Sequence, residues 1–196
     1  MRKWGMNVKF LRGMAALFVL GMILGAMAVN VLADSQVNRA GILSDYFLRQ
    51  YKYLEIDTVE LFLYILKKRL KWVFLLWAAG FTAAGSLCGA GYVLWMGFSV
   101  GILMGVAVLK LGIFGLLFAA AALFPQSLCY GPAWVFFLNG ISLKAPGGGR
   151  YPRAADGTAR YILLIAGMCL FMIFGILLES SINPWVVKWA LRLIWG

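Results

Sequence analysis

The chain has 196 residues, of which 63% are hydrophobic and 13% are charged, and its formal net charge is +11. Soluble domains carry about 25% charged residues, so this composition excludes an ordinary soluble globule and indicates a membrane protein. The chain contains no histidine, which removes the commonest general base and every imidazole metal site. We therefore predict no enzymatic activity, no cofactor and no metal site. The basic residues cluster beside apolar runs, where they act as topology and lipid-headgroup signals, and we predict no nucleic-acid partner.

The hydropathy pattern predicts an all-α fold, a polytopic integral membrane protein that forms a single membrane domain over residues 1–196. A membrane-crossing helix needs about 20 apolar residues. Five stretches reach or approach that length, at 14–33, 72–94, 95–124, 127–143 and 161–178. Loops that stay inside the cell are rich in lysine and arginine. The basic residues of 1–13 and 144–160 therefore predict an N-terminus inside the cell and a C-terminus outside, although the basic cluster at 67–71 then lies outside, against the rule.

The first predicted span ends at Ala33, where Val31, Leu32 and Ala33 resemble a signal-peptide cleavage site. A signal peptide has an apolar core of about 7–15 residues, and this apolar run is longer. We interpret 14–33 as a retained membrane anchor.

Residues 57–71 predict a helix that starts at the membrane surface and runs into the second span. Asp57 and Glu60 form a capping pattern, and the residues between Glu60 and the basic cluster are apolar. Such a helix is either a plain structural anchor or part of a docking surface for partner proteins, together with Tyr46 in the preceding polar segment.

Residues 184–195 predict a second interfacial helix at the C-terminus. Asn183 is a suitable N-cap and Pro184 suits the first turn. Tryptophan is typical of the membrane–water interface, so Trp185 and Trp189 either anchor this helix in the membrane or dock a partner.

One glycine per helical turn lies on a single face at Gly97, Gly101 and Gly105. A face without side chains lets two helix backbones approach closely, which replaces the hydrophobic drive that is missing in lipid. The pattern predicts either helix packing within the chain or self-association into a homo-oligomer through this face.

The stretch 95–143 allows two arrangements. Lys110 would cost about 2.5–3.5 kcal/mol at the bilayer centre, so it either snorkels along one tilted helix or marks a break near Gly112. In the second case, two half-helices meet at Pro125. The polar residue Gln126 and the prolines Pro125 and Pro132 predict either a turn at the outer surface or a broken helix that lines a cavity.

The order of these features resembles the stage II sporulation protein M family. The matching pieces run in sequence from a basic N-terminus through Gly25-Ala26-Met27-Ala28-Val29-Asn30, Trp77-x-x-Gly80, Gly97-Phe98-Ser99-Val100-Gly101 and Phe124-Pro125-Gln126-Ser127-Leu128 to Pro132. Broader relatives outside sporulation carry His, Gly and Glu where this chain has Gln126, Ser127 and Tyr130, which favours the sporulation branch.

The resemblance implies a non-enzymatic membrane scaffold of sporulation engulfment, located in the cell membrane on the mother-cell side of the septum. The implied protein partners are the peptidoglycan-degrading enzymes stage II sporulation proteins D and P, which the scaffold recruits and anchors. Membrane lipid is the other expected partner. The alternative from the residues alone is a transporter or permease-like subunit built around the Pro125 break and Lys110, which predicts a water-filled cavity near mid-bilayer that contains Lys110 and Gln126.

Overall fold

The computed structural model describes residues 8–32, 50–51, 54–55, 57–82, 84–144 and 155–195. These residues form seven α-helices and no strand, which confirms the all-α class. In chain order the helices are α1 Val8–Leu32, α2 Thr58–Ala79, α3 Gly85–Leu111, α4 Phe114–Leu123, α5 Ser127–Lys144, α6 Ala155–Ser181 and α7 Asn183–Trp195.

Helix α2 begins at the predicted cap and continues further than expected. The Asp57 carboxylate accepts hydrogen bonds from the amides of Val59 (2.8 Å) and Glu60 (3.3 Å), which satisfies two of the amides that a helix start leaves unpaired. The helix then runs through the basic cluster to Ala79. The predicted helix at 57–71 is thus the first part of a longer one.

The chain turns between Ala79 and Gly85, so no helix runs over the predicted second span at 72–94. The Thr82 hydroxyl donates to the Ala79 carbonyl at 2.8 Å. A Cβ on Gly85 would lie only 3.0 Å from the Gly80 Cα, so the two helix ends approach more closely than a side chain allows. This corrects the predicted bounds of the second span. The prediction followed a continuous apolar stretch, and that stretch contains a turn flanked by Gly80 and Gly85.

Helices α2 and α3 form an antiparallel hairpin around this turn. Trp72 lies seven residues before Ala79, and Tyr92 lies seven residues after Gly85. Their rings contact each other at a centroid distance of 5.7 Å. Trp72 and Tyr92, which are equally far from the turn, therefore lie at the same level along the hairpin.

The predicted third span at 95–124 is also divided. Helix α3 ends at Leu111, and Gly112 has a φ of 60°, a backbone conformation that glycine adopts without steric cost. Lys110 consequently lies in the last turn of α3, where a cation complements the helix dipole, and not in the middle of a helix. The arrangement with a break near Gly112 is the one that the structure adopts.

Helices α4 and α5 meet at Pro125 with a bend of 60°. The Phe124–Pro125 peptide bond is cis, and Phe124 is extended (φ −93°, ψ 143°), as the residue before a proline prefers. Pro132 lies inside α5. Pro125 thus separates α4 from α5, whereas α5 continues through Pro132.

Helix α7 follows α6 after Ile182 with a bend of 40°. Pro184 has no amide hydrogen and its ring collides with the carbonyl four residues earlier, which bends a helix. The amides of Ile182 and Val186 still donate to Leu178 and Ile182, at 3.0 Å each, so the two helices continue one another.

Two packed clusters fill the interior. The first joins α2, α3, α5 and α6 through buried residues that include Val73, Tyr92, Trp134, Phe137 and Met172. The second joins α1, α3, α4 and α7 through Val29, Val106, Phe118, Val187 and Leu191. Helix α3 contributes to both clusters and is the central element of the fold.

Two helices of the described chain are long and apolar enough to cross a membrane, at Phe10–Val31 and Gly85–Leu111. The number rises to four if each bent pair, α4 with α5 and α6 with α7, is one span. Helix α2 is not among them, and it carries the basic cluster at 67–71. The predicted count of five spans is not confirmed.

Candidate functional site

The most polar contact inside the bundle joins Arg69 on α2, Tyr130 on α5 and Glu179 on α6. The Arg69 guanidinium donates to both Glu179 carboxylate oxygens, at 3.3 Å to Oε1 and 3.2 Å to Oε2. The Tyr130 hydroxyl donates to Glu179 Oε2 at 2.6 Å. The Arg69 Cζ atom also lies 4.4 Å from the centre of the Tyr130 ring, a cation–π distance. We call these three residues the polar lock.

Small and aromatic residues on the same helices position the polar lock. A Cβ on Gly175 would lie 2.7 Å from Tyr130 Cε1, so only glycine leaves room for the tyrosine ring against α6. One turn further along α5, Trp134 contacts Tyr92 of α3 at a ring distance of 4.5 Å. Helix α5 is therefore fixed against α6 on one side and against α3 on the other.

The polar lock lies near mid-length of the bundle. Arg69 is ten residues before Ala79, near the middle of α2. A charge at such a depth in a membrane is costly unless it is paired. Arg69 and Glu179 neutralise each other there, and their side chains retain exposures of 28% and 20%. This arrangement holds three helices in one register.

The break at Pro125 is closed by amide side chains. The last carbonyls of a helix have no partner within it. At the end of α4, the Gln126 Nε2 atom donates to the Ala122 carbonyl at 2.5 Å. The Asn183 Nδ2 atom donates to the Ala122 carbonyl at 3.3 Å, and the same amide turned end for end would donate to the carbonyls of Ala121 (2.9 Å) and Phe124 (3.2 Å). Asn183 thus ties the α6–α7 bend to the α4–α5 bend.

Gln126 is a buried residue, 6% exposed, and its Oε1 atom has no hydrogen-bond partner. Lys110, which the sequence placed beside it in a cavity, lies in the last turn of α3. One surface groove of the described chain runs along α1 and another lies between α2 and α6. Neither groove is lined by Gln126 or Lys110.

The glycine face of α3 lies against α1. A Cβ on Gly101 would lie 2.9 Å from the Met22 Cα, and a Cβ on Gly105 would lie 3.1 Å from the Val29 Cβ. A Cβ on Gly97 would overlap the Phe18 carbonyl. The sequence separation between the α3 glycine and its α1 partner is about the same in each pair, so α1 and α3 run parallel. The face is thus covered by α1 within the chain.

The outward face of α7 is an apolar stripe of Trp185, Trp189 and Leu193, which are 69%, 52% and 55% exposed. These positions are four residues apart and share one side of the helix. The opposite side is buried, with Val187 at 7% and Leu191 at 0% exposure. Tyr46, the third docking candidate from the sequence, lies outside the described residues.

The contact between the three residues of the polar lock was not predicted from the sequence. Arg69 and Glu179 are 110 residues apart, and no spacing rule connects them. The available signal was the presence of a lone glutamate at the end of an apolar run, because such a residue requires a cationic partner. Among the described residues, no group of three or more His, Cys, Asp or Glu side chains is placed to hold a metal ion.

Fold and site together define a class of protein: an all-helical chain with two to four candidate membrane spans, internally fastened by glycine contacts and a charged lock. Residues 14–184 match the family profile of stage II sporulation protein M. The chain belongs to this family and is a sporulation-related membrane protein. No curated protein and no solved structure matches it.

Proposed function

We propose that this protein is a non-enzymatic membrane scaffold of sporulation engulfment. In this proposal it lies in the cell membrane on the mother-cell side of the septum and recruits the peptidoglycan-degrading enzymes stage II sporulation proteins D and P. The enzymes supply the chemistry, and this chain supplies a fixed position and a docking surface. Membership of the family supports the sporulation role.

The observation that carries the proposal is the apolar stripe of α7. Its tryptophans expose 69% and 52% of their surface, although the same helix is fixed by a buried face against α3 and α4. Tryptophan is over-represented among the residues that dominate binding at protein interfaces. A rigid helix that displays two tryptophans side by side is suited to hold a partner at the membrane surface.

The experiment is the localisation of fluorescent fusions of the two enzymes in sporulating cells. In cells that carry Trp185→Ala/Trp189→Ala, both enzymes should leave the septum while the scaffold stays in the membrane. The matched control is Trp95→Ala, because Trp95 is 58% exposed but lies on α3. Normal enzyme localisation in the double variant, or in cells without the gene, contradicts the proposal.

The α4–α5 break favours a second candidate function, a transporter or permease-like subunit. Broken helices line substrate sites in many transporters, and these two helices meet at 60° beside the buried Gln126. The grooves along α1 and between α2 and α6 do not reach that break, so we rank this function second. A solute flux across vesicles that contain only this protein, abolished by Gln126→Leu, would favour it.

A further inference from the structure

The bend between α4 and α5 meets the bend between α6 and α7 at a cluster of oxygen atoms. The backbone carbonyls of Ala121, Ala122 and Phe124 lie at the end of α4. Asn183, the first residue of α7, reaches them with its side chain and lies 3.3 Å from the Ala122 oxygen. The buried Gln126 amide contacts the same Ala122 oxygen through its Nε2 atom. We call these five residues the α4 junction.

Pro125 leaves the α4 junction short of hydrogen-bond donors. In a continuing helix the amide of residue 125 would donate to the Ala121 carbonyl, and proline has no amide hydrogen. Helix α4 ends at Leu123, and the last carbonyls of a helix have no partner within it. The donors that reach these carbonyls are the side-chain amides of Gln126 and Asn183.

Neither orientation of the Asn183 amide separates the oxygen atoms. In one orientation Oδ1 lies 2.9 Å from the Ala121 oxygen and 3.2 Å from the Phe124 oxygen. Turned end for end, Oδ1 takes the place of the nitrogen, about 3.3 Å from the Ala122 oxygen. Amide and carbonyl oxygens only accept hydrogen bonds, so oxygens this close need a positive group between them.

Gln126 adds a further acceptor to the α4 junction. Its side chain is 6% exposed, and its Oε1 atom has no hydrogen-bond partner. This oxygen belongs to the amide whose Nε2 atom already contacts the Ala122 carbonyl. Acceptors thus outnumber donors at the junction. A bound cation removes this imbalance, because one cation can take several oxygens at once.

The donor set selects the kind of cation. The carboxyl end of a helix carries a partial negative charge, and the end of α4 lies at the junction. Divalent Ca²⁺ and Mg²⁺ sites use carboxylates, but Glu179, one turn before Asn183, is bound by Arg69. Half-helix ends and unwound carbonyls hold Na⁺ in discontinuous membrane helices, and both helix pairs at the junction are bent candidate spans.

We propose that the α4 junction binds one alkali cation, Na⁺ or K⁺. The carbonyl oxygens of Ala121 and Phe124 and the side-chain oxygens of Asn183 and Gln126 hold it. The Asn183 Nδ2 atom keeps its contact with the Ala122 carbonyl in this arrangement. The cation joins the two bends, and its binding requires neither enzyme recruitment by the α7 stripe nor flux of a solute.

The test measures the melting temperature of the full-length protein in an uncharged detergent by tryptophan fluorescence. NaCl and KCl are compared with choline chloride at one total chloride concentration. A ligand of the folded state stabilises it in proportion to the logarithm of ligand concentration above the dissociation constant. Each tenfold rise in the bound cation should therefore raise the melting temperature by about 3–6 °C. Choline should have no such effect.

Asn183→Leu removes one of the oxygens and should abolish the response to the alkali cation. Asn30→Leu is the matched control and should keep the response, because Asn30 donates to the Ala26 carbonyl at 3.0 Å on α1, away from the junction. One melting temperature for the unaltered protein in all three salts overturns the proposal. A full response in Asn183→Leu also overturns it.

Asn183→Asp keeps the test decisive if the leucine variant folds poorly. Because Ca²⁺ prefers carboxylates, this variant should be stabilised by Ca²⁺ as well as by the alkali cation, whereas the unaltered protein should not respond to Ca²⁺. If the Asn183 side chain served only as a hydrogen-bond donor, Asn183→Asp would be destabilised equally in every salt, and the proposal would be wrong.

Discussion

Glu179 holds Arg69 at 3.2 Å although 110 residues separate them in the chain. The contact joins the middle of α2 to the end of α6, and the Tyr130 hydroxyl adds α5 through a 2.6 Å hydrogen bond to the same carboxylate. Three helices are thus fastened at one point. The register of α6 in turn positions α7, because α7 continues α6 through the bend at Pro184.

Removing one partner of this ion pair should destabilise the protein. Glu179→Gln leaves the Arg69 guanidinium without its counter-ion, and losing one partner of a fully buried pair costs about 3–5 kcal/mol. The pair is 20–28% exposed, so we expect about 2 kcal/mol, since solvent screening weakens exposed pairs. The measurement is chemical unfolding in detergent, followed by tryptophan fluorescence, with Glu60→Gln at the start of α2 as the control.

The double variant Arg69→Met/Glu179→Met separates pairing from packing. With both charges removed, it should recover at least half of the stability that Glu179→Gln loses, because an apolar pair leaves no charge unpaired. If the double variant instead lost as much stability as the separate losses at Arg69 and Glu179 added together, the two residues would act independently.

Substitutions on the glycine face of α3 should disrupt the α1–α3 contact. Gly101→Val places a side chain against the Met22 backbone, which cannot move away as a flexible side chain can. Overpacking costs about 1–3 kcal/mol, and we expect the upper end of that range. Gly91→Val is the control, because nothing lies within 4 Å of a Cβ at Gly91 on the same helix. A similar loss of stability in both variants would mean that valine lowers helix stability in general.

The amide of Gln126 should matter as a hydrogen-bond donor. Its Nε2 atom donates to the Ala122 carbonyl, whereas its Oε1 atom has no partner. Gln126→Glu puts an acceptor in place of the donor at the end of α4, so it should be less stable than Gln126→Met by about 1 kcal/mol or more. Thermal melts of the two variants in one detergent provide the comparison. A Gln126→Glu protein as stable as Gln126→Met would mean that the donor has no role.

Much of the local structure could be predicted from the sequence, because short-range physics determines it. The cap at Asp57 and the break at Pro125 follow from a side chain that accepts backbone amides and from a residue without an amide. The glycine spacing at Gly97, Gly101 and Gly105 predicted a close helix contact, and α1 makes that contact here.

Helix boundaries and the polar lock could not be predicted in the same way. Residues 80–84 lie within an apolar stretch, and hydropathy does not distinguish a buried turn from a helix that continues. The partner of Glu179 depends on how α2 and α6 pack, which the order of residues along either helix does not reveal. The contact of Asn183 could not be predicted for the same reason, since its carbonyl partner, Ala122, belongs to α4.

The recruitment of enzymes by the α7 stripe is tested most directly by co-purification. Tagged full-length chain is extracted in mild detergent from cells that also produce stage II sporulation proteins D and P, and the amount of each enzyme retained is measured. We expect both enzymes to co-purify with the unaltered chain and with Trp95→Ala, and to be lost from Trp185→Ala/Trp189→Ala. Equal retention by all three chains, or no retention by the unaltered chain, would contradict the scaffold function.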